Sequence, residues 1–177
     1  MSIEKILWDH DAMALAAMVR NGDISAPELV EAAISRAERT HPEINAIAEK
    51  TYEDARKRAQ SVDRSLPLAG VPFAIKDLAI AQKGVPTHSG SRAPAFTPDY
   101  DSVLTQRYAA AGLIPIVTST SPEHGLRLMT ESARFGVTRS PWNLGHTSGG
   151  SSGGAAALVA AGVVPVAHAS DGGGSIR

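Results

Sequence analysis

The 177 residues carry 17 basic and 18 acidic side chains, a formal net charge of -1, so no bulk positive field exists to hold a nucleic acid. The absence of cysteine excludes disulfides, a thiol nucleophile and a thiolate metal site. With 43% hydrophobic and 20% charged residues, the chain is long and apolar enough to fold around a real core.

The opening Met-Ser-Ile-Glu-Lys-Ile-Leu-Trp lacks the apolar stretch of a secretory signal. Asp11 to Arg20 reads as a helix stopped by Asn21-Gly22. Ser25-Ala-Pro-Glu28 is a capping box, and the helix it opens carries Leu29, Val30, Ala33, Ile34 and Ala37 on one face. Pro42 is expected to close the turn after it, and Thr51 to Ser61 forms a more polar helix. Residues 1–65 are therefore expected to be a helical region packed outside a sheet, with 66–177 forming the α/β core.

Gly70 to Ile75 is a short apolar run and reads as a buried strand, with Lys76 and Asp77 at its end. Residues 84–100 are loop; Ser102 to Ala111 is a helix and Leu113 to Thr118 a second strand. The stretch 122–144 is broken by Gly136 and Pro141 and gives no clear periodicity. Gly153 to Ala161 reads as a small-residue helix and Val163 to Ala169 as a strand. The apolar run 155–169 is interrupted by Gly162 and Pro165, too short to cross a membrane. Strands alternating with helices imply an α/β fold with parallel crossovers, and with neither signal nor membrane span a soluble cytoplasmic protein is the expectation.

Three places can carry chemistry. Lys76 is either a solvated strand-end lysine or a buried one whose charged form is disfavoured, leaving a general base. Ser151 and Ser152 lie in Gly149-Gly-Ser-Ser-Gly-Gly154, a setting that holds serines close to other polar groups unless it is a flexible linker. Alanine-rich sequence follows at once, which weakens the linker reading. Ser175 follows Gly172, Gly173 and Gly174, whose N–H groups could converge on one oxygen. A phosphate-binding loop is the rival, but the Gly-Lys-Ser/Thr ending of a P-loop is missing. The six histidines lack metal-ligand spacing, and His168 reads as a satisfied core histidine. With no histidine placed as base for Ser175, lysine is the candidate.

These residues resemble the amidase signature enzymes. The carriers are Gly149 to Gly154, then Asp171-Gly-Gly-Gly-Ser-Ile-Arg177, and Pro72-Phe-Ala-Ile-Lys-Asp77. Asp101-Ser102, Pro122-Glu123 and the stretch from Phe135-Gly136 to Pro141-Trp142-Asn143 fit as well. Ser148 stands where proline is common and His124 where an aromatic is common. The resemblance implies the amidase signature fold, a mixed, largely parallel sheet covered by helices, of which this chain looks like the N-terminal portion. It implies a Ser-cisSer-Lys triad: Lys76 as base, Ser151 as bridge after a cis Gly150–Ser151 peptide, and Ser175 as acyl-forming nucleophile. Gly172, Gly173, Gly174 and Ser152 would line the oxyanion or substrate site. The implied reaction is amide hydrolysis on a small-molecule amide, without cofactor or metal. The Asp-Gly-Gly-Gly-Ser run also appears in relatives that hydrolyse oligoamides of the 6-aminohexanoate type. The remainder of an amidase polypeptide or a complementary chain would be the partner, with a homodimer of the full enzyme allowed. A glutaminase-type amidotransferase subunit is the close alternative, and a non-catalytic Gly-rich anion-binding domain is the alternative from another class.

Overall fold

Hydroxyl and carboxylate side chains open most of the helices, and glycines close two of them. The computed structural model describes residues 2–177. Ser2 caps α1 (Ile3–Asp9) and Asp11 caps α2 (Ala12–Asn21), which ends on Gly22 in the left-handed conformation. Ser25 opens α3 (Ala26–Ile44): its hydroxyl accepts from Glu28 N at 3.3 Å while the Glu28 carboxylate accepts from Ser25 N at 2.9 Å. Pro42 does not close this helix as the sequence suggests; it lies inside the last turn. Proline there forfeits one intrahelical bond, and the helix ends instead at Asn45, whose N–H donates to His41 O at 2.8 Å.

The chain then forms β1 (Ile47–Lys50), α4 (Tyr52–Ser61), β2 (Pro72–Lys76), α5 (Val103–Ala111) and β3 (Ile114–Ser119). A 3-10 turn at Glu123–Gly125 leads into two small hairpins, β4 (Glu131–Ser132) with β5 (Gly136–Val137) and β6 (Arg139–Ser140) with β7 (Asn143–Thr147). Next come α6 (Gly153–Ala160) and β8 (Val166–Ala167). The main sheet has the order β1-β3-β2-β8; β1 runs antiparallel to β3, and the other two pairings are parallel. The fold is thus mixed α/β with a largely parallel sheet. Two expectations change. The helical N-terminal region contributes β1 to the sheet, hidden in the sequence by the polar Glu49 and Lys50. The last strand is only Val166–Ala167, not 163–169: residues 163–165 precede the pairing with β2, and past Ala167 Lys76 N turns to the His168 ring.

Every residue of β2 and β3 is buried, so both faces of the sheet centre are covered. Ile75, Ile114 and Ile116 lie there among Leu29, Val30 and Leu158, and each such side chain stabilises the fold by roughly 1.5–3 kcal/mol. Among the described residues no helix is long and apolar enough to cross a membrane. For function, the register matters most: β2 and β3 end together, Lys76 opposite Ser119. The carboxyl end of parallel strands is where open α/β sheets bind ligands.

Candidate active site

Lys76 is the last residue of β2 and is 0% exposed. Its Nζ meets three hydroxyls and no carboxylate: Ser151 Oγ at 2.8 Å, and Ser152 Oγ and Ser170 Oγ each at 2.9 Å. The neighbouring Asp77 is also buried, yet its carboxylate serves elsewhere, accepting from His88 N at 2.8 Å. With no anion to hold its charge, burial pulls Lys76 down from 10.5 to about 8. A neutral amine keeps two N–H donors and one lone pair. Among three hydroxyl neighbours, one must therefore donate to it, and the Ser151 hydroxyl is the closest.

The turn that carries the two serines needs glycine where chain meets chain. A Cβ on Gly150 would stand 2.9 Å from the Met129 carbonyl carbon, and one on Gly154 would stand 2.5 Å from Thr120 N and O. The Gly150–Ser151 peptide is cis. Ser151 is half-buried, and Ser152 is 2% exposed at the head of α6. The Ser152 hydroxyl donates to Ser170 O at 3.0 Å, accepts from Ser170 N at 3.2 Å and lies 3.0 Å from Ser175 Oγ.

Ser175 is brought to this cluster but not to Ser151. Its hydroxyl donates to Ser170 O and touches Ser152. The cause lies in the loop itself. Asp171 gathers the following backbone around one carboxylate, accepting from Gly174 N at 2.6 Å, Arg177 N at 3.1 Å and Ile176 N at 3.3 Å. The Arg177 guanidinium closes the ring, with Nη2 at 2.6 Å and Nε at 2.8 Å, and holds that carboxyl far below its usual range. Gly174, at φ +116°, therefore has its N–H committed to Asp171 and is not a free oxyanion donor here. Gly172 and Gly173 are exposed, with the Leu128 side chain beside Gly173.

A cavity of about 340 Å³ opens next to Ser175, lined by small and apolar side chains that include Ala156, Val159, Ala167 and Ile176. A larger one of about 450 Å³, between Tyr52 and Pro86, shares no residue with the cluster. Two members of the site escape sequence reasoning. Ser170 supplies a hydroxyl to Lys76 and a carbonyl to Ser152 and Ser175; its only signal is its place before Asp171. His168, read as a core histidine, bonds through its ring to Lys76 N.

The family model described as Amidase matches residues 28–177. The chain is 43% identical over 174 residues to 6-aminohexanoate-cyclic-dimer hydrolase of Paenarthrobacter ureafaciens, covering 97% of this chain and 35% of the relative. It is 40% identical over 177 residues to a glutamyl-tRNA(Gln) amidotransferase subunit of Synechococcus sp. (strain CC9605), covering 96% and 36%. A solved structure of 6-aminohexanoate cyclic dimer hydrolase superimposes with a TM-score of 0.86 at 42% identity, over 92% of this chain and 34% of the other. The chain thus spans about a third of the length of the relatives it matches.

Proposed function

The chain belongs to the amidase signature family, and on that premise we propose that it carries the base, the bridging serine and the nucleophile of an amide hydrolase. The observation that supports this most is the buried Lys76 amine, unpaired with any carboxylate and 2.8 Å from Ser151 Oγ. In the proposed reaction, neutral Lys76 takes the Ser151 proton while Ser151 takes that of Ser175. The Ser175 oxygen bonds to the amide carbon, and the carbonyl oxygen becomes an oxyanion facing the N–H groups of Gly172 and Gly173. Collapse breaks the C–N bond, and the relay returns a proton to the leaving amine. Water, deprotonated by the same relay, then cleaves the Ser175 ester to the acid. For this step the hydroxyl of Ser175 leaves Ser152 and Ser170 O for Ser151.

The small, apolar lining of the cavity beside Ser175 suits an apolar acyl chain. One relative is named for a cyclic dimer of 6-aminohexanoate, whose methylene chain has that character, so we take an oligoamide of this type as the substrate class. A second reading has a specific basis: at 40% identity to an amidotransferase subunit, the same groups would release ammonia from glutamine for a partner chain. Glutaminase activity together with co-purifying subunits distinguishes it.

The test uses the full polypeptide. A fluorophosphonate is expected to form a covalent adduct on Ser175, located by mass spectrometry, and to abolish hydrolysis of 6-aminohexanoate oligoamides. No adduct, or full turnover by the Ser175→Ala variant, contradicts the reading.

A further inference from the structure

The ladder between β2 and β8 ends in an unusual way. Phe73 pairs with Val166 and Ala74 with Ala167, and His168 N then donates to Ala74 O at 2.8 Å. In a parallel ladder the evenly spaced bonds alternate between strands, so the next donor, Lys76 N, would go to the His168 carbonyl. It goes instead to that residue's ring, at 3.3 Å from Nδ1. The imidazole has taken the place of its own main-chain acceptor. The backbone is thereby released from the sheet. Two residues on, Ser170 places its hydroxyl 2.9 Å from Lys76 Nζ and its carbonyl under Ser152 at 3.0 Å.

We propose that His168 is a positioning residue for Lys76: its neutral ring anchors the lysine's main chain and frees the following backbone to carry Ser170 to the lysine's amine. The inference rests on the reading of Lys76 as the base. An Nδ1 that accepts must carry no proton, so the ring is the Nε2-protonated tautomer. The titratable groups that face the ring are Lys76 from β2 and Tyr108 from α5, whose ring centroid lies 6.0 Å away. Burial, and the positive charge of Lys76, both hold His168 below its ordinary value. Protonation would remove the acceptor from Lys76 N and set a second positive charge beside the amine.

Two variants of the full-length protein separate this role from simple packing. Asn Oδ1 stands at the same distance from Cβ as His Nδ1 and accepts without titrating; leucine fills similar space and accepts nothing. His168→Leu is expected to lower kcat about 10- to 100-fold with KM within about threefold, the scale of a misplaced catalytic group. His168→Asn is expected to stay within about threefold of the parent in kcat. The third measurement does not depend on activity. Nitrogen-15 NMR of the histidine rings should show His168 protonated at Nε2 and titrating below about 6.5, the ordinary histidine value. A ring protonated at Nδ1, ordinary titration, or a folded His168→Leu variant with parental kcat overturns the proposal. If His168→Leu does not fold, the asparagine variant decides: a loss as deep as about 100-fold counts against the acceptor role. If the parent hydrolyses no amide, the functional reading fails by itself, and the tautomer still decides whether the ring anchors Lys76.

Discussion

The end of β2 and the loop 171–177 supply the two ends of the proposed relay, and they are held by different means. Lys76 belongs to a strand in which every residue is buried, paired on both sides, with its amine surrounded by three hydroxyls. The loop is largely exposed and hangs from one carboxylate, Asp171, which accepts from three backbone N–H groups and from Arg177. The position of Lys76, the proposed base, is therefore a property of the core. The position of Ser175, the proposed nucleophile, is a property of one ion pair and of its contacts with Ser152 and Ser170. Changes near the first should disturb folding and chemistry together; changes in the second should disturb chemistry alone.

The largest test removes the ends themselves. In the full-length protein, Ser175→Ala and Lys76→Ala are each expected to lower kcat/KM by about 10⁴-fold or more, since groups that act as a unit fail together. Lys76→Arg should not rescue activity, because a guanidinium stays protonated. Unequal losses, with one variant near parental activity, would break the pairing of the two regions into one relay. Next, Asp171→Asn should lower kcat about 100-fold by loosening the loop, while the midpoint of thermal unfolding stays at the parental value. A large fall in that midpoint would place the loop in the folding core after all.

A glycine pair sharpens the same contrast. Gly154→Ala puts a methyl group 2.5 Å from the Thr120 backbone, whereas a Cβ on Gly172 meets nothing within 4 Å. The first is expected to destabilise the protein by about 2–3 kcal/mol, an overpacking cost, and the second to leave denaturant midpoints unchanged. Equal effects would contradict the division. The smallest effect is in pH. With Lys76 at about 8, kcat/KM should rise about tenfold per pH unit below that value and level off above it, because only the neutral amine accepts a proton. A profile flat from one pH unit below that value to one above would remove Lys76 from the role of base.

The candidate residues Lys76, Ser151 and Ser175 were legible because each sits in a local signature: an apolar run ending in lysine, serines flanked by paired glycines, and a serine after three glycines. The helices that begin with Ser25 and Ser102 were legible for a similar reason, as their caps are local. What depends on register was not. His168 looked like one more residue of an apolar strand, and only the offset between β2 and β8 turns its ring toward Lys76 N. Ser170 gained its role from the same departure. β1 was missed because an edge strand of four residues with Glu49 and Lys50 has no apolar alternation. The hairpins between Glu131 and Thr147 were missed because they are short and largely exposed, held by Asn45 and Arg92 from distant segments. Ser175 meeting Ser152 instead of Ser151 follows from Asp171 gathering its own loop, a competition no spacing reveals.

The proposed relay requires Lys76 to be uncharged enough to act as a base. The direct measurement is the titration of its side chain by carbon-13 NMR, in the full-length Ser175→Ala variant with labelled lysine, assigned by loss of the signal in Lys76→Met. One lysine is expected to titrate near 8, pulled down from 10.5 by burial. A value near 10.5, or no difference between this lysine and the exposed ones, would contradict it.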